Sequence, residues 1–410
     1  MIEKMRAIKA WLRKGQRVAV ALGLALCVSL SASAVVELQS INDGVDRNDP
    51  NFVTAYLMVA GPGEEMFACG GHAFLRLVCP TFNLDNCYSY ESESIKDKLL
   101  TFFCGKLRMG LVRIETPKYL QDFSANHRGV MQYKLNLPPL VKQRLWKLMD
   151  DRVAEGMNMP YDYDKRGCGW SVHETLIEAV RPLSIDGAVL PEIKASSRRE
   201  RIAAYVSTYP WNRFFIDVVM GTAADRELPL AQRVVMPEDL LHYLQASRLV
   251  GETIITEPGT EVLPRGLANK PSWFTPMVAS WLFVALSVLN FFVKGGALDV
   301  GFLALQSACG VFYTYLVFIS NLPASDWHWL IVPFNLLPLV FWRWRRRWAL
   351  GFVALLVLWE AGMVAWPHQL MDPALLVVGL AYIVFYLKLA VRTNGGQLKP
   401  VNRLNGHFKK

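Results

Sequence analysis

The apolar positions of this chain change their spacing twice, and the three regimes predict three kinds of structure. Residues 18–30 are an unbroken apolar run behind a basic stretch. Residues 35–271 mix apolar and polar positions at strand and helix periods, and residues 273–391 are almost continuously apolar. In the middle regime, residues 52–59 are rich in β-branched and aromatic side chains and read as a strand. Gly61 and Gly63 then mark a loop, and residues 72–78 alternate as a second strand. Residues 87–90, 110–115 and 131–137 predict three more. Residues 140–154 place Leu140, Leu145, Leu148 and Met149 on one side of a helix, and residues 170–180, 199–209 and 237–249 are further helices. The fold class expected for this part is α+β, an antiparallel sheet with helices. The polar stretch from Thr253 onward, with its Pro and Gly residues, reads as a linker.

The apolar third divides into five spans, 273–293, 298–320, 327–341, 348–366 and 374–391, an all-α membrane domain. An odd number of spans entered from outside puts the C-terminus in the cytoplasm, and the charges agree. Lys294, Arg343, Arg345, Arg346, Arg347, Arg392 and the tail ending Lys409-Lys410 fall inside, while the two outer loops, 321–326 and 367–373, contain no Lys or Arg. Trp327, Trp329, Trp342, Trp344, Trp348 and Trp366 sit at span ends, as an interfacial belt does. Asp326, His328 and Asn335 are polar groups near the outer face, read either as loop caps and interhelical hydrogen bonds or as the lining of a lipid path.

At the N-terminus, a basic region (Lys4 to Arg17), the apolar run and Ser31-Ala32-Ser33-Ala34 have the form of a secretory signal peptide with an A-x-A-like cleavage site, an uncleaved anchor being the alternative. The expected organisation is a signal peptide at 1–34, an exported domain at 35–252, a linker at 253–272, a membrane domain at 273–392 and a basic cytoplasmic tail at 393–410. The net charge of +9 concentrates beside the apolar spans, which argues against a nucleic-acid partner. Export makes cysteine pairing an issue. Cys79 and Cys87 bracket a short loop and predict one disulfide, Cys69 and Cys104 a second, which leaves Cys168 free.

Cys168 stands in Gly167-Cys168-Gly169, at the start of a predicted helix, where free backbone N–H groups favour a thiolate and can bind an oxyanion. His72, in Gly71-His72-Ala73 at the start of a strand, supplies a base for it. Ser89 or Tyr90, on the next predicted strand, is the candidate to orient the His72 ring, and Gly169 a candidate oxyanion donor. By composition alone Cys168 is read first as a nucleophile, then as a buried structural thiol or a disulfide partner, while His72 taken alone is read first as a hydrogen-bonded core histidine. Cys69-x-x-His72 has a ligand-like spacing, but no second element completes a metal site, and no cofactor is expected. Arg128 is read as holding a phosphate or pairing with an acid. His173 is read as structural and His127 as a surface residue.

These motifs, spread over most of the chain, resemble the Lnb-type lipoprotein N-acyltransferase family, in which an exported domain precedes membrane helices. The matching segments are Gly71-His72-Ala73, Tyr88-Ser89-Tyr90-Glu91, Gly105-Lys106-Leu107, Asn126-His127-Arg128-Gly129-Val130, Leu135-Asn136-Leu137, Tyr161-Asp162-Tyr163 before Gly167-Cys168-Gly169, and Asn335-Leu336-Leu337-Pro338. The order His then Cys is similar to circularly permuted papain-like domains, such as lecithin:retinol acyltransferase and NlpC relatives. The resemblance implies Cys168 as acyl carrier and His72 as base, with Arg128, Tyr163 and Asn335 as candidate substrate contacts. It implies a phospholipid acyl donor, the lipidated N-terminal Cys of a lipoprotein as acceptor, and a multi-pass protein of the bacterial inner membrane with its catalytic domain in the periplasm. Three departures stand out: Gly167 replaces the family's Asn, Gly169 its Ser or Thr, and Ser89 an Asn. Two other functions fit the same residues, a Cys-His hydrolase of lipid esters or cell-wall amides and a non-enzymatic envelope lipid-binding protein.

Overall fold

The computed structural model describes residues 46–391 except 64, 67, 164, 187–196, 230–231, 266–271, 294–295, 341–344 and 368. The expected signal peptide and tail, Lys294 and Arg343 lie outside the described residues. The described residues from Asn48 onward form one compact unit.

The period-two segments become an antiparallel sheet: β1 (Thr54–Ala60), β2 (His72–Cys79), β3 (Leu84–Ser92), β4 (Arg108–Glu115), β5 (Val130–Lys134) and the two-residue β6 (Met159–Pro160). A separate small sheet contains β7 (Ile185–Asp186), β8 (Arg248–Leu249) and β9 (Glu252–Thr253). The large sheet is completed by β10 (Thr260–Leu263), in the order β10-β5-β1-β2-β3-β4-β6. The stretch expected to be a linker therefore contributes an edge strand, because Thr260 and Glu261 pair with Gln132 and Met131 of β5. The edge is only four residues long, and of these only Val262 and Leu263 are apolar and packed against the core, too short a run to stand out in the sequence.

Alternation along β2 and β3 separates two faces. Phe74 and Cys87 pack with Met58 under α2 (Thr116–Ala125), after the short α1 (Leu99–Phe103). Ring centroids of Phe74, Tyr119 and Phe123 lie 5.0–5.4 Å apart, worth about 0.5–1.5 kcal/mol per pair beyond the buried area. On the opposite face Tyr88 and Tyr90 meet α3 (Pro139–Glu155) and α4 (Cys168–Val180): Tyr88 donates to Asp150 (2.8 Å), and Tyr90 bonds Thr175 (2.8 Å). Then come α5 (Arg198–Tyr205), α6 (Pro210–Val219) and α7 (Pro237–Ala246). Buried Arg199 holds Asp217 (2.9 Å) and Asp225 (2.7 Å), and buried Arg201 holds Asp239 (2.9 Å).

The apolar third forms α8 (Pro276–Phe292), α9 (Ala297–Phe318), the one-turn α10 (Leu337–Val340), α11 (Arg345–Ala365) and α12 (Pro373–Val391). Three stretches, Ala297–Phe318, Arg347–Ala365 and Pro373–Val391, are helices long and apolar enough to cross a membrane. The 17 residues of α8 rise only about 26 Å. The expected third span, 327–341, is not a continuous helix among the described residues. Pro333 and Pro338 lack the N–H that a helix interior requires, and the irregular backbone is satisfied by neighbours instead: Gln306 of α9 donates to the Pro333 carbonyl (2.7 Å). Buried Lys388 of α12 binds Asn290 of α8 (2.8 Å) and Asp299 of α9 (2.5 Å), tying three helices together.

The sheet domain is docked on the loops between these helices. Gly221 and Thr222 donate backbone N–H groups to Ala324 (2.6 Å) and Trp327 (2.8 Å), Arg226 pairs with Asp326 (3.0 Å), and Ser320 donates to the Phe103 carbonyl (2.5 Å). Gly105 turns there with φ +65°, and an added Cβ meets the Asn321 carbonyl oxygen at 2.3 Å. Gly105→Ala is expected to loosen this contact and to cost at least about 1 kcal/mol from its backbone conformation alone. Faster limited proteolysis at the 103–106 junction, with lower thermal stability in detergent, checks it; an unchanged digestion pattern refutes it.

Candidate active site

Cys168 is the first residue of α4, and Gly167 before it brings no side chain to cap the first turn. The sulfur accepts hydrogen bonds from the backbone N–H groups of Ala73 and Gly169 and interacts with the His72 ring by charge and hydrogen bond. Burial alone raises the Cys168 pKa, but His72 and the two N–H donors outweigh it, and the net direction is down. His72 mirrors this. Burial disfavours its charge, yet Cys168 and then Glu91 push its pKa up to about 10. The arrangement favours a thiolate beside an imidazolium.

The other side of the imidazole is occupied by a relay. His72 Nε2 lies 2.7 Å from Ser89 Oγ, and Ser89 donates to Glu91 Oε1 (2.7 Å). Because the serine proton points to Glu91, its oxygen accepts from His72 Nε2–H, and Nδ1 is the nitrogen left for Cys168. Tyr119 of α2 donates to both Glu91 (2.5 Å) and Ser89 (2.9 Å). Glu91 Oε1 is 3.5 Å from His72 Nε2. Burial raises the Glu91 pKa, but His72, Tyr119 and Ser89 hold it down at about 2. Glu91 is thus ionised throughout the neutral range, and its charge supports the imidazolium.

Of the two candidate orienting groups, the structure brings only Ser89 to His72. Tyr90 points to the other face of the sheet, where it binds Thr175 and Arg152. Strand alternation forbids both from reaching one ring. The same rule placed Glu91, two residues after Ser89, on the His72 side, and this is the signal by which it could have been found. Nothing in the sequence pointed to Tyr119, which arrives from a helix 28 residues on.

Gly169 is held by packing. An added Cβ lies 2.9 Å from the Met236 carbonyl oxygen, at the entry to α7, so a Ser or Thr does not fit without moving that backbone. Its N–H remains directed at the sulfur. Arg128 donates Nε to the Gly61 carbonyl (2.9 Å) and lies over the Phe123 ring (4.9 Å), while its Nη2 is buried with no hydrogen-bond partner among the described residues. Burial lowers its pKa, opposed by the charges of Tyr119, Cys168 and Glu91. It is a cation within electrostatic reach of the sulfur.

Tyr163 and Asn335 have other roles. The Tyr163 hydroxyl donates to the Pro323 carbonyl, fastening the domain to the membrane helices. Both ends of the Asn335 amide bind backbone, at Val332 (2.6 Å) and Leu337 (3.0 Å), which makes it a cap of the irregular segment. Asp326 and His328 are likewise used structurally, in the dock and as the cap of Leu330. His173 is buried between Trp170 and Tyr243, and burial lowers its pKa to about 4.

Neither expected disulfide exists; the six described cysteines are free. In the β2–β3 register Cys79 lies opposite Leu84 and Cys87 opposite Arg76, so the two thiols are displaced along the ladder. Cys87 binds Thr116 (3.3 Å), Cys69 donates to the Met66 carbonyl (2.8 Å), and Cys104 accepts from Tyr315 (3.1 Å). Burial pushes the Cys69 and Cys87 thiols up to about 11, the reverse of Cys168. Among the described residues no cluster of three His, Cys, Asp or Glu side chains could hold a metal ion.

This contrast yields a prediction. Iodoacetamide is expected to modify Cys168 with a rate that levels off at lower pH than the rate of an ordinary thiol, near 8.5. In His72→Ala the neighbouring cation is lost, the Cys168 pKa rises, and the rate at pH 7 falls about ten-fold or more. Equal rates in both proteins by mass spectrometry eliminate the ion pair.

Compared with known protein families, with curated proteins and with solved structures, the chain matches none.

Proposed function

We propose that this chain is a membrane-bound thiol enzyme, with Cys168 as nucleophile and His72 as acid and base. The observation that carries this reading is the hydrogen-bonded Cys168–His72 pair, backed by Ser89, Glu91 and Tyr119, on a domain seated on apolar helices. More particularly, we propose a lipoprotein N-acyltransferase of the Lnb type, acting at the periplasmic face of a bacterial inner membrane.

The Cys168 thiolate attacks an ester carbonyl of a phospholipid. A C–S bond forms, and the N–H groups at the start of α4 support the oxyanion. The ester C–O bond then breaks, and His72 gives its proton to the departing lysophospholipid oxygen. The free α-amine of a lipidated N-terminal Cys attacks the thioester. The C–N bond forms, the C–S bond breaks, His72 takes the amine proton, and the thiolate returns. Glu91 stays ionised, supporting the imidazolium of the resting pair and, through Ser89, holding the neutral ring in place while the thioester waits. Confining both lipids beside the membrane raises their effective concentration and excludes water, which favours transfer over hydrolysis.

The test supplies the full-length protein in vesicles with phospholipid carrying a labelled acyl chain. Label is expected on Cys168 as a hydroxylamine-labile thioester and, once a diacylglyceryl-cysteine peptide is added, on its α-amine. Free labelled fatty acid, undiminished by the peptide, identifies a hydrolase instead.

A further inference from the structure

Helix α6 has two neighbourhoods. At its start, Asn212 hydrogen-bonds Cys69, three residues before His72, and Tyr209 lies within electrostatic reach of Arg128. On its other side, Phe214 and Val218 face the apolar helices across a cavity of about 320 Å³, whose remaining walls include Ala279, Phe283, Cys309 and Val378 of α8, α9 and α12. The hydroxyls of Tyr313 and Tyr382, both in its wall, are taken by the Val218 (3.2 Å) and Phe302 (3.3 Å) carbonyls. Such a space has little to offer water or a polar metabolite.

Its surroundings indicate the occupant. Trp281, Leu282 and Leu286 on α8 are 53%, 58% and 40% exposed, and Phe215, at the cavity itself, is 48% exposed. The cavity is thus continuous with the surface that the apolar helices present to hydrocarbon. An apolar slot open to that surface suits a hydrocarbon chain of a membrane lipid.

We propose that this cavity holds one acyl chain of a membrane glycerophospholipid. The proposal rests on the acyl-transfer reading in making that lipid the donor to Cys168, and α6 then links chain recognition to the catalytic loop.

The experiment uses full-length Cys168→Ala protein in phosphatidylethanolamine vesicles doped with phosphatidylethanolamine bearing a diazirine near the end of one acyl chain. After irradiation, peptide mass spectrometry is expected to find cross-links concentrated at Phe214, Ala279 and Cys309. Ala279→Trp, which fills the cavity, lowers them at least about ten-fold while leaving labelling of exposed Leu358 on α11 unchanged; Val378→Phe serves if the first variant does not fold. Labelling spread evenly over exposed helix faces, or insensitive to both cavity-filling variants, overturns the proposal. Cavity cross-links in a protein whose native Cys168 collects no acyl group support the lipid site and strike the acyl-transfer reading alone.

Discussion

Replacing Cys168 with alanine is expected to lower acyl transfer to the lipoprotein amine by at least about 10³-fold, the scale on which nucleophile loss acts in thiol and serine enzymes. The variant keeps its fold, because a thiol at the first position of α4 contributes little packing that alanine lacks, and the N-cap geometry at Gly167 is untouched. What disappears is the sulfur that the Ala73 and Gly169 N–H groups and His72 stabilise. The decisive measurement is complementation. In a strain lacking other N-acyltransferases, the native chain restores N-acylated lipoproteins and Cys168→Ala does not. If the variant restores them, Cys168 carries no acyl group.

Glu91→Gln is expected to lower turnover by about 10²- to 10⁴-fold, with its signature in the pH profile. In the native chain Glu91, with a pKa of about 2, is charged at every working pH, and it is among the causes that bring His72 to about 10. Removing its charge favours neutral imidazole, so the His72 pKa falls. The thiolate–imidazolium pair persists only below that pKa, and the alkaline limb of kcat/KM moves to lower pH. Glutamine keeps the size and a hydrogen bond to Ser89 or Tyr119, so lost packing does not imitate the effect. A profile of unchanged position and height reduces Glu91 to a spectator.

Much of this site was legible because strands expose alternation. The segment starting at His72 and the segment containing Ser89 became adjacent strands, and residues 168–180 a helix that starts at the cysteine. Ser89 and Tyr90 stood as equals only while the register was unknown. Once β2 and β3 pair, Ser89 and Glu91 share a face with Cys87, and Tyr90 faces α4. The disulfides failed for the same reason, since proximity along the chain says nothing about where two thiols fall on a ladder. The third membrane span failed on its prolines, whose lost N–H groups outweigh a favourable apolar composition.

Local spacing by itself therefore determined strands β1 to β5, helices α3, α4, α5 and α7, the apolar third and the order of base and thiol, because period and propensity act over a few residues. Only the tertiary structure decided that Glu91 and Tyr119 complete the relay, that residues 260–263 join the sheet, that the domain rests on loops 320–329, and that α6 walls a cavity against the membrane helices. Each of these depends on chain segments tens to more than a hundred residues apart. Their contacts arise from burying shared apolar faces and satisfying backbone groups at a distance, and no local pattern encodes which distant partner will do so.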